Sequence, residues 1–375
     1  MAPHATELAE RYAVKVLMVC PYSLSRPGGV QSQVMGLVRE LRSLGVDARI
    51  VAPCDGPPPV PGVMTVGEST LWESNGSIAP IATGAHVARR TIDALGFFEP
   101  DVVHLHEPMV PGPSLTLLLG YHGPMISTHH ISGHIGREWV MPAVRSNMER
   151  VHARAAVSES ARATAVDSVG GDYLVLWNGV EVERFASAVP TPSARPAVLF
   201  CNRHEPRKGL SVLLDAWHGI DRDATLWVAS KGPQTEELRA RNVANVEWLG
   251  VVSDTQRNER IAGSRIFCAP STGGESFGVV LLEGMAGGAA VVASDIDGYR
   301  NVARGDVDAV LGAPNDPDAL RVALRRVLDD DALHTRLLHA GRERADEFSM
   351  HRLATRYLEM YHFAIAAGST HPSRR

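Results

Sequence analysis

Short apolar runs alternate with amphipathic stretches along most of the chain. The run VKVLMVC (14–20) reads as a strand buried on both faces. GGVQSQVMGLVRELRSLG (28–45) then sets Val30, Val34, Leu37, Val38 and Leu41 at helical spacing before a glycine stop. DARIVAPC, DVVHLHEP and GPMISTHH repeat the strand signal with helical segments between them, and ARAAVSES and YLVLWNGVEVERF close the half. ASAVPTPSARP (186–196) has little to bury and reads as a linker. The alternation then restarts with AVLFC, a helix from about 209, ATLWVAS, VEWLG, RIFCAPS and GAAVVAS. SMHRLATRYLEMYHFAIAA forms one last amphipathic helix.

Strand–helix alternation of this kind predicts an α/β protein with two parallel sheets, each covered by helices in a Rossmann-like domain. The expected division is an extension over 1–13, a first domain over 14–187, a second over 188–348, and a C-terminal helix and tail over 349–375. Open sheets bind ligands outside the carboxyl ends of their strands, so two facing sheets are expected to leave a cleft there. The length of 375 residues accommodates two ordinary domains.

Composition narrows the function classes. A net charge of −5 argues against a general nucleic-acid binder. Cys20, Cys54, Cys201 and Cys268 form no CxxC pair and sit in or beside apolar runs, as buried reduced thiols do. The N-terminus lacks a secretory apolar core and no apolar stretch is long enough to span a bilayer, so a cytoplasmic protein is expected, with peripheral membrane contact left open.

Four polar constellations fall just after strands. In GGESFGVVLLEGMAGG (273–288), Gly273 and Gly274 let the backbone approach a ligand, and the N–H groups of Ser276, Phe277 and Gly278 at a helix start favour a phosphate. Glu275 and Glu283, eight residues apart, are expected on one face of that helix, about 12 Å apart. Such spacing suits a long ligand whose vicinal hydroxyls the carboxylates bind, as a sugar nucleotide offers. CNRHEPRKG (201–209) brings Arg203, Arg207 and Lys208 together, cations suited to a diphosphate leaving group. RPGGVQ (26–31) resembles a phosphate loop built on Gly28 and Gly29, although a tight turn admitting the helix explains it equally. In STHHISGH (127–134), His129, His130 and His134 have no carboxylate at ligand spacing; one of them as a hydrogen-bond donor to a bound sugar is favoured over a metal site. The DDD at 329–331 reads as a surface helix cap.

Together these segments resemble the retaining glycosyltransferases of family 4, which have the GT-B fold and an E-x7-E segment. GGESFGVVLLEGMAGG, EPRKG, WNGVEVERF, PGGVQ and DVVHLHEP occur in the family's order, so the resemblance spans nearly the whole chain. Within the family, VCPYSLSRPGGVQSQV and CAPSTGGESFGVVLLEGMAGGAAVVASD are most similar to the phosphatidylinositol mannosyltransferases, which use GDP-mannose. The resemblance implies that Gly29 lets the first loop reach the donor phosphate, His130 meets the transferred sugar, and Lys208 with an arginine holds the diphosphate. Glu275 would bind the sugar hydroxyls and Glu283 the ribose, with Gly28, Gly274, Ser276, Phe277 and Gly278 lining the donor and Tyr22, Gln31 and Asn75 on the acceptor side. It further implies retention of anomeric configuration, no catalytic metal or other cofactor, and a C-terminal helix that crosses back onto the first domain.

The chain departs from the family pattern at three points. Arg203 stands one residue nearer Lys208 than the family's arginine, so either Arg203 or Asn202 takes that place; ASKG replaces a G-x-G; and NGSIAPIA and HHISGHI lack the basic residues of the lipid enzymes, leaving Arg89 and Arg90. The acceptor is accordingly expected to be a hydroxyl of phosphatidylinositol, another lipid or a soluble glycan, and the donor a GDP- or UDP-sugar. A non-hydrolysing sugar-nucleotide epimerase and a silent binding module are the alternatives from other classes.

Overall fold

A computed structural model of the chain describes residues 14–74, 77–133, 140–220, 223–275 and 277–369. It divides into two compact units: residues up to Gly179 together with those from Met350 onward, and Val180–Ser349.

The first unit holds a seven-stranded parallel sheet of β1 (Lys15–Val19), β2 (Asp47–Ala52), β3 (Val63–Thr65), β6 (Val102–His106), β7 (Met125–His129), β8 (Ala153–Ala156) and β9 (Leu174–Val175), in the order β3-β2-β1-β6-β7-β8-β9. A separate antiparallel hairpin, β4 (Thr70–Ser74) with β5 (Ser77–Ile81), branches off after β3. One sheet face is covered by α1 (Gly29–Ser43), which buries Val34, Leu37, Val38 and Leu41, the stripe its periodicity predicts. The opposite face carries α2 (Ala85–Phe98), α3 (Pro113–Gly120) and α4 (Pro142–Met148), with Phe98, Leu117, Leu118 and Met148 against Leu17, Val103 and Leu105. Helix α5 (Glu159–Val169) follows β8 and is capped by Ser158, which accepts from the Ala161 N–H at 3.0 Å.

The second unit begins with α6 (Val182–Ala186) and holds a six-stranded parallel sheet. Its strands are β10 (Ala197–Cys201), β11 (Thr225–Ala229), β12 (Val246–Gly250), β13 (Ile266–Ala269), β14 (Ala290–Ser294) and β15 (Ala309–Gly312), in the order β12-β11-β10-β13-β14-β15. The intervening helices are α7 (Leu210–Trp217), α8 (Thr235–Arg239), α9 (Asp254–Gly263), α10 (Val279–Ala286), α11 (Asp297–Arg300), α12 (Pro317–Asp329) and α13 (Asp331–Glu347). Trp217, Leu213, Leu324 and Leu337 pack on Phe200, Val228 and Val292. Asp330 accepts from the Leu333 N–H at 2.8 Å and so caps α13, the role expected of the aspartate run.

The last helix, α14 (Met350–Ser369), belongs to the first unit, where it packs on α1, β6 and β7. Its apolar face supplies Ala354, Tyr357, Leu358 and Tyr361 to the core above α1. The chain therefore passes between units twice, at Gly179–Val180 and at Ser349–Met350. The first passage lies earlier than the 187/188 boundary expected from the sequence. The reason is packing: Phe185 of α6 is buried in the second unit beneath the Arg257 guanidinium, 5.5 Å from its ring. The small, proline-bearing stretch is not a free linker either, because the Thr191 N–H donates to the Glu259 carbonyl at 2.9 Å.

Candidate functional site

Two polar clusters stand at the carboxyl ends of the two sheets. In the second unit, β10 leads into the turn that carries Arg203, Glu205, Arg207 and Lys208. Pro206–Lys208 forms one turn of 3₁₀-helix, and Gly209 then adopts φ +73 before α7 begins. Only glycine fits Gly209: besides its left-handed backbone, a Cβ there would stand 1.8 Å from the Pro270 carbonyl oxygen. This close approach ties the cationic turn to the loop after β13, where the Thr272 N–H also donates to the Arg207 carbonyl at 2.8 Å.

That second loop carries Glu275. Its Oε1 accepts from Lys208 Nζ at 2.5 Å, Ser271 Oγ at 3.0 Å and Arg207 Nη1 at 3.5 Å. Ser271 is held in turn by the Tyr299 hydroxyl at 2.8 Å. From below, Gly298 supports the loop so closely that a Cβ there would lie 1.9 Å from the Glu275 carbonyl oxygen. All three partners share Oε1, and among the described residues none bonds Oε2. The Lys208 side chain is only 10% exposed. Burial lowers its pKa, and the Glu275 charge acts against that shift. The result is a desolvated cation beside a carboxylate whose second oxygen no described residue bonds, suited to neutralising a phosphate and accepting from a hydroxyl.

The sequence expectation for the two glutamates is corrected here. Glu275 is not helical: α10 starts at Val279, with Gly278 at φ +98 as its N-cap, so the two carboxylates do not share a helix face. Glu283 alone lies on α10, largely buried, with Arg257 Nη2 3.5 Å from its carboxylate. Burial raises the Glu283 pKa and Arg257 opposes it. The Phe277 ring is a core anchor, buried against Phe348 at 5.6 Å. The helix-start N–H groups are those of Val279 and Val280, and no side chain caps them. Gly274 has φ +72 and accepts from Arg207 Nη1 at 3.3 Å, while Ser276 lies outside the described residues.

Neither candidate for the family's arginine bonds Glu275 among the described residues. Arg203 is exposed and pairs with Glu205 at 3.1 Å, away from Glu275. Asn202 does not reach Glu275 either; its Nδ2 is buried without a partner among the described residues. The arginine beside Glu275 is Arg207. Sequence reasoning noted its charge but left it out of the site. The family's spacing to Lys208 pointed to Arg203 or Asn202, and only the fold of the 3₁₀ turn shows which guanidinium reaches the carboxylate. Ser271 and Tyr299 carried no signal in the sequence at all.

In the first unit, α1 opens at Gly28, which is extended, and no side chain caps it. Space around Gly29 is open to 4 Å for an added Cβ, as a phosphate-approaching turn requires. Gln31 is buried and donates to the Ser23 carbonyl at 3.3 Å, and Tyr22 forms a β-bridge with Ile81. Both shape the loop between β1 and α1. Asn75 and His134 lie outside the described residues.

His130 stands just past β7. Its Nε2 is 2.9 Å from His106 Nδ1, and its backbone N–H donates at 2.5 Å to Glu107, which also accepts from Ile131 N–H at 2.7 Å. Glu107 is buried at φ +47, and burial pushes its carboxyl up to about 7 against those two N–H donors. His129 is a core residue, edge-on to Tyr173 at 5.1 Å. Burial lowers His129 and His130 to about 3, so both rings are neutral. Among the described residues no three His, Cys, Asp or Glu side chains gather as metal ligands do.

Known proteins match this chain along nearly its whole length. Residues 27–184 match the family described as Glycosyltransferase Family 4, and residues 195–330 match Glycosyl transferases group 1. A phosphatidyl-myo-inositol mannosyltransferase of Mycobacterium leprae is 36% identical over 95% of this chain and 98% of its own. The protein of the same name from Mycolicibacterium smegmatis is 33% identical, over 95% of each. A crystal structure of a glycosyltransferase from Rickettsia africae superposes with a TM-score of 0.71, covering 94% of this chain and 99% of that one. At 19% identity that likeness is one of fold.

Proposed function

The chain belongs to glycosyltransferase family 4, with the GT-B fold, and from that premise we propose that it transfers mannose from GDP-mannose to a hydroxyl of phosphatidylinositol. The observation that carries this reading is the near-complete coverage by relatives of that name, at 36% and 33% identity, together with the Lys208–Glu275 pair. In the proposed reaction the bond from the mannosyl carbon to the diphosphate oxygen breaks and a bond to the acceptor oxygen forms. The acceptor's proton leaves with the departing diphosphate, and the anomeric configuration is retained. Lys208 and Arg207 hold the diphosphate charge as it develops, the term that contributes most in such reactions. Glu275 Oε2 accepts from the sugar hydroxyls, Glu283 from the ribose, and His130 meets the mannose. No metal or other cofactor takes part in this scheme.

A lipid acceptor calls for peripheral contact with the inner face of the cytoplasmic membrane, for which α2 is suited. No helix among the described residues is long and apolar enough to cross a membrane. Helix α2, however, exposes Ile92 at 55% and Phe97 at 77%, with Arg89 and Arg90 exposed on the same helix. Apolar side chains that insert and cations that meet anionic headgroups define a surface-lying helix; each arginine contributes about 1 kcal/mol near an anionic surface.

Thermal shift tests the donor. GDP-mannose is expected to raise Tm, UDP-glucose and UDP-N-acetylglucosamine to do so weakly or not at all, and Glu283→Ala to abolish the GDP-mannose response. Stabilisation by a UDP-sugar instead would overturn the donor assignment. Mannosyl transfer to phosphatidylinositol in vesicles then reads the acceptor.

A further inference from the structure

The first unit contains a line of imidazoles, His104 and His106 buried and His130 partly buried, whose protons can be counted. His104 Nε2 lies 2.7 Å from Thr128 Oγ1 and its Nδ1 2.9 Å from the Tyr361 hydroxyl, while Thr128 Oγ1 also lies 2.9 Å from the Tyr357 hydroxyl. The His104 and His106 rings stack at 4.3 Å, and those of His106 and His130 at 5.2 Å. His106 is pinned at both nitrogens: Nδ1 faces His130 Nε2 at 2.9 Å, and Nε2 faces the Met18 thioether sulfur at 3.0 Å. Met18 is a β1 core residue with no exposure. Burial holds both His106 and His130 neutral, so each ring carries one proton.

A thioether has no hydrogen to give and only accepts. With its proton on Nδ1, His106 would turn a bare Nε2 lone pair onto the sulfur lone pairs in a buried site. With its proton on Nε2, it donates to Met18 and leaves Nδ1 as an acceptor. The His106–His130 contact then needs its proton from His130 Nε2, and His130 Nδ1 is left without one. Among the described residues nothing bonds that nitrogen.

We propose that Met18 sets the tautomer of His130 through His106, so that His130 offers a lone pair at Nδ1 and accepts a hydrogen bond from a hydroxyl of the transferred hexose. Met18 and His106 are positioning residues, and His130 is a hydrogen-bond acceptor rather than the donor expected of a histidine in that loop. The tautomer follows from these contacts once both rings are neutral; only the identity of the hydroxyl rests on the reading of His130 as a sugar contact. The Lys208–Glu275 pair confers no comparable choice, because an ammonium always donates.

Nitrogen NMR of the full chain labelled with ¹⁵N-histidine reads this directly, with the His130 signals assigned by their loss in His130→Asn. The expected result is protonation of both rings at Nε2, with a coupling across the hydrogen bond from His130 Nε2 to His106 Nδ1. A proton on His130 Nδ1 would overturn the proposal, and this measurement needs no core substitution. Met18→Leu, nearly equal in volume, is expected to release both rings into mixed tautomers. Equal populations would halve the competent fraction, weakening apparent donor affinity about twofold. A single unchanged tautomer in that variant would overturn the role of the sulfur. Saturating GDP-mannose should shift the His130 Nδ1 signal. An unmoved signal, with donor binding verified by thermal shift, would overturn the hydroxyl contact, whereas absence of any thermal shift is a failure of the donor assignment instead.

Discussion

The two polar clusters solve different electrostatic problems. In the second unit Lys208 is desolvated at 10% exposure but kept charged by Glu275 at 2.5 Å, and Arg207 adds a second cation. In the first unit His104, His106 and His130 are desolvated with no carboxylate among the described residues bonded to their rings, and burial empties them of charge. A buried ion persists only where a counter-charge and hydrogen bonds replace water; otherwise the group titrates to neutrality. One cluster is therefore built to meet a charge and the other to orient a neutral hydrogen bond. The backbone follows the same division. Gly209 and Gly298 allow two loops to close on the ion pair, whereas strand β6 presents His104 and His106 and the end of β7 leads into His130.

The sharpest test of that contrast is activity. Lys208→Ala is expected to lower kcat by about 10²–10³-fold, as loss of a principal electrostatic contact does. His130→Ala should cost about fivefold, the worth of one neutral hydrogen bond of about 1 kcal/mol. Equal losses in steady-state transfer assays would dissolve the distinction.

Acid stability tests the neutral histidines. His104 is held at about 3 against 6.5 in the unfolded chain, so the folded state binds fewer protons in that window. Stability present above pH 6.5 is thus lost as pH falls, by about 1.4 kcal/mol per pH unit for each such group. Glu107 acts oppositely: raised to about 7 from 4.5, its contribution is present at low pH and is lost as pH rises through 7. Four histidines outweigh the two raised carboxyls, Glu107 and Glu283, so urea unfolding should show stability falling below pH 6.5. His104→Phe should make that slope shallower by about 1.4 kcal/mol per pH unit; an unchanged slope would show that His104 is protonated in the fold.

The smallest effects compare two hydroxyls. Tyr299→Phe removes the hydrogen bond to Ser271 and Tyr357→Phe the one to Thr128. Each should cost about 1 kcal/mol in stability. Only Tyr299→Phe, which loosens Glu275, should also weaken GDP-mannose binding. If Tyr357→Phe weakens it as much, the histidine line reaches the donor more strongly than a neutral contact should.

Much of this was legible in the sequence. Alternating apolar runs and 3.6-residue periodicity determined two parallel α/β units, because a strand buried on both faces and a helix with one apolar stripe have few other ways to hide those faces. The motifs at strand exits picked out Lys208, Glu275, Glu283 and His130, because loops after parallel strands are where an open sheet offers free backbone and room for polar groups. Tertiary structure decided the rest. It set the domain passage at Gly179–Val180, because burial of Phe185 outweighs the small, proline-bearing composition that follows it. It took Glu275 off the helix, because α10 starts only at Val279, after Gly278 at φ +98. It brought Arg207 rather than Arg203 to the carboxylate, and it set Met18 against His106 across 88 residues of chain. Periodicity reports which face of an element is buried; which two side chains meet there depends on how separate elements pack, and no local pattern carries that information.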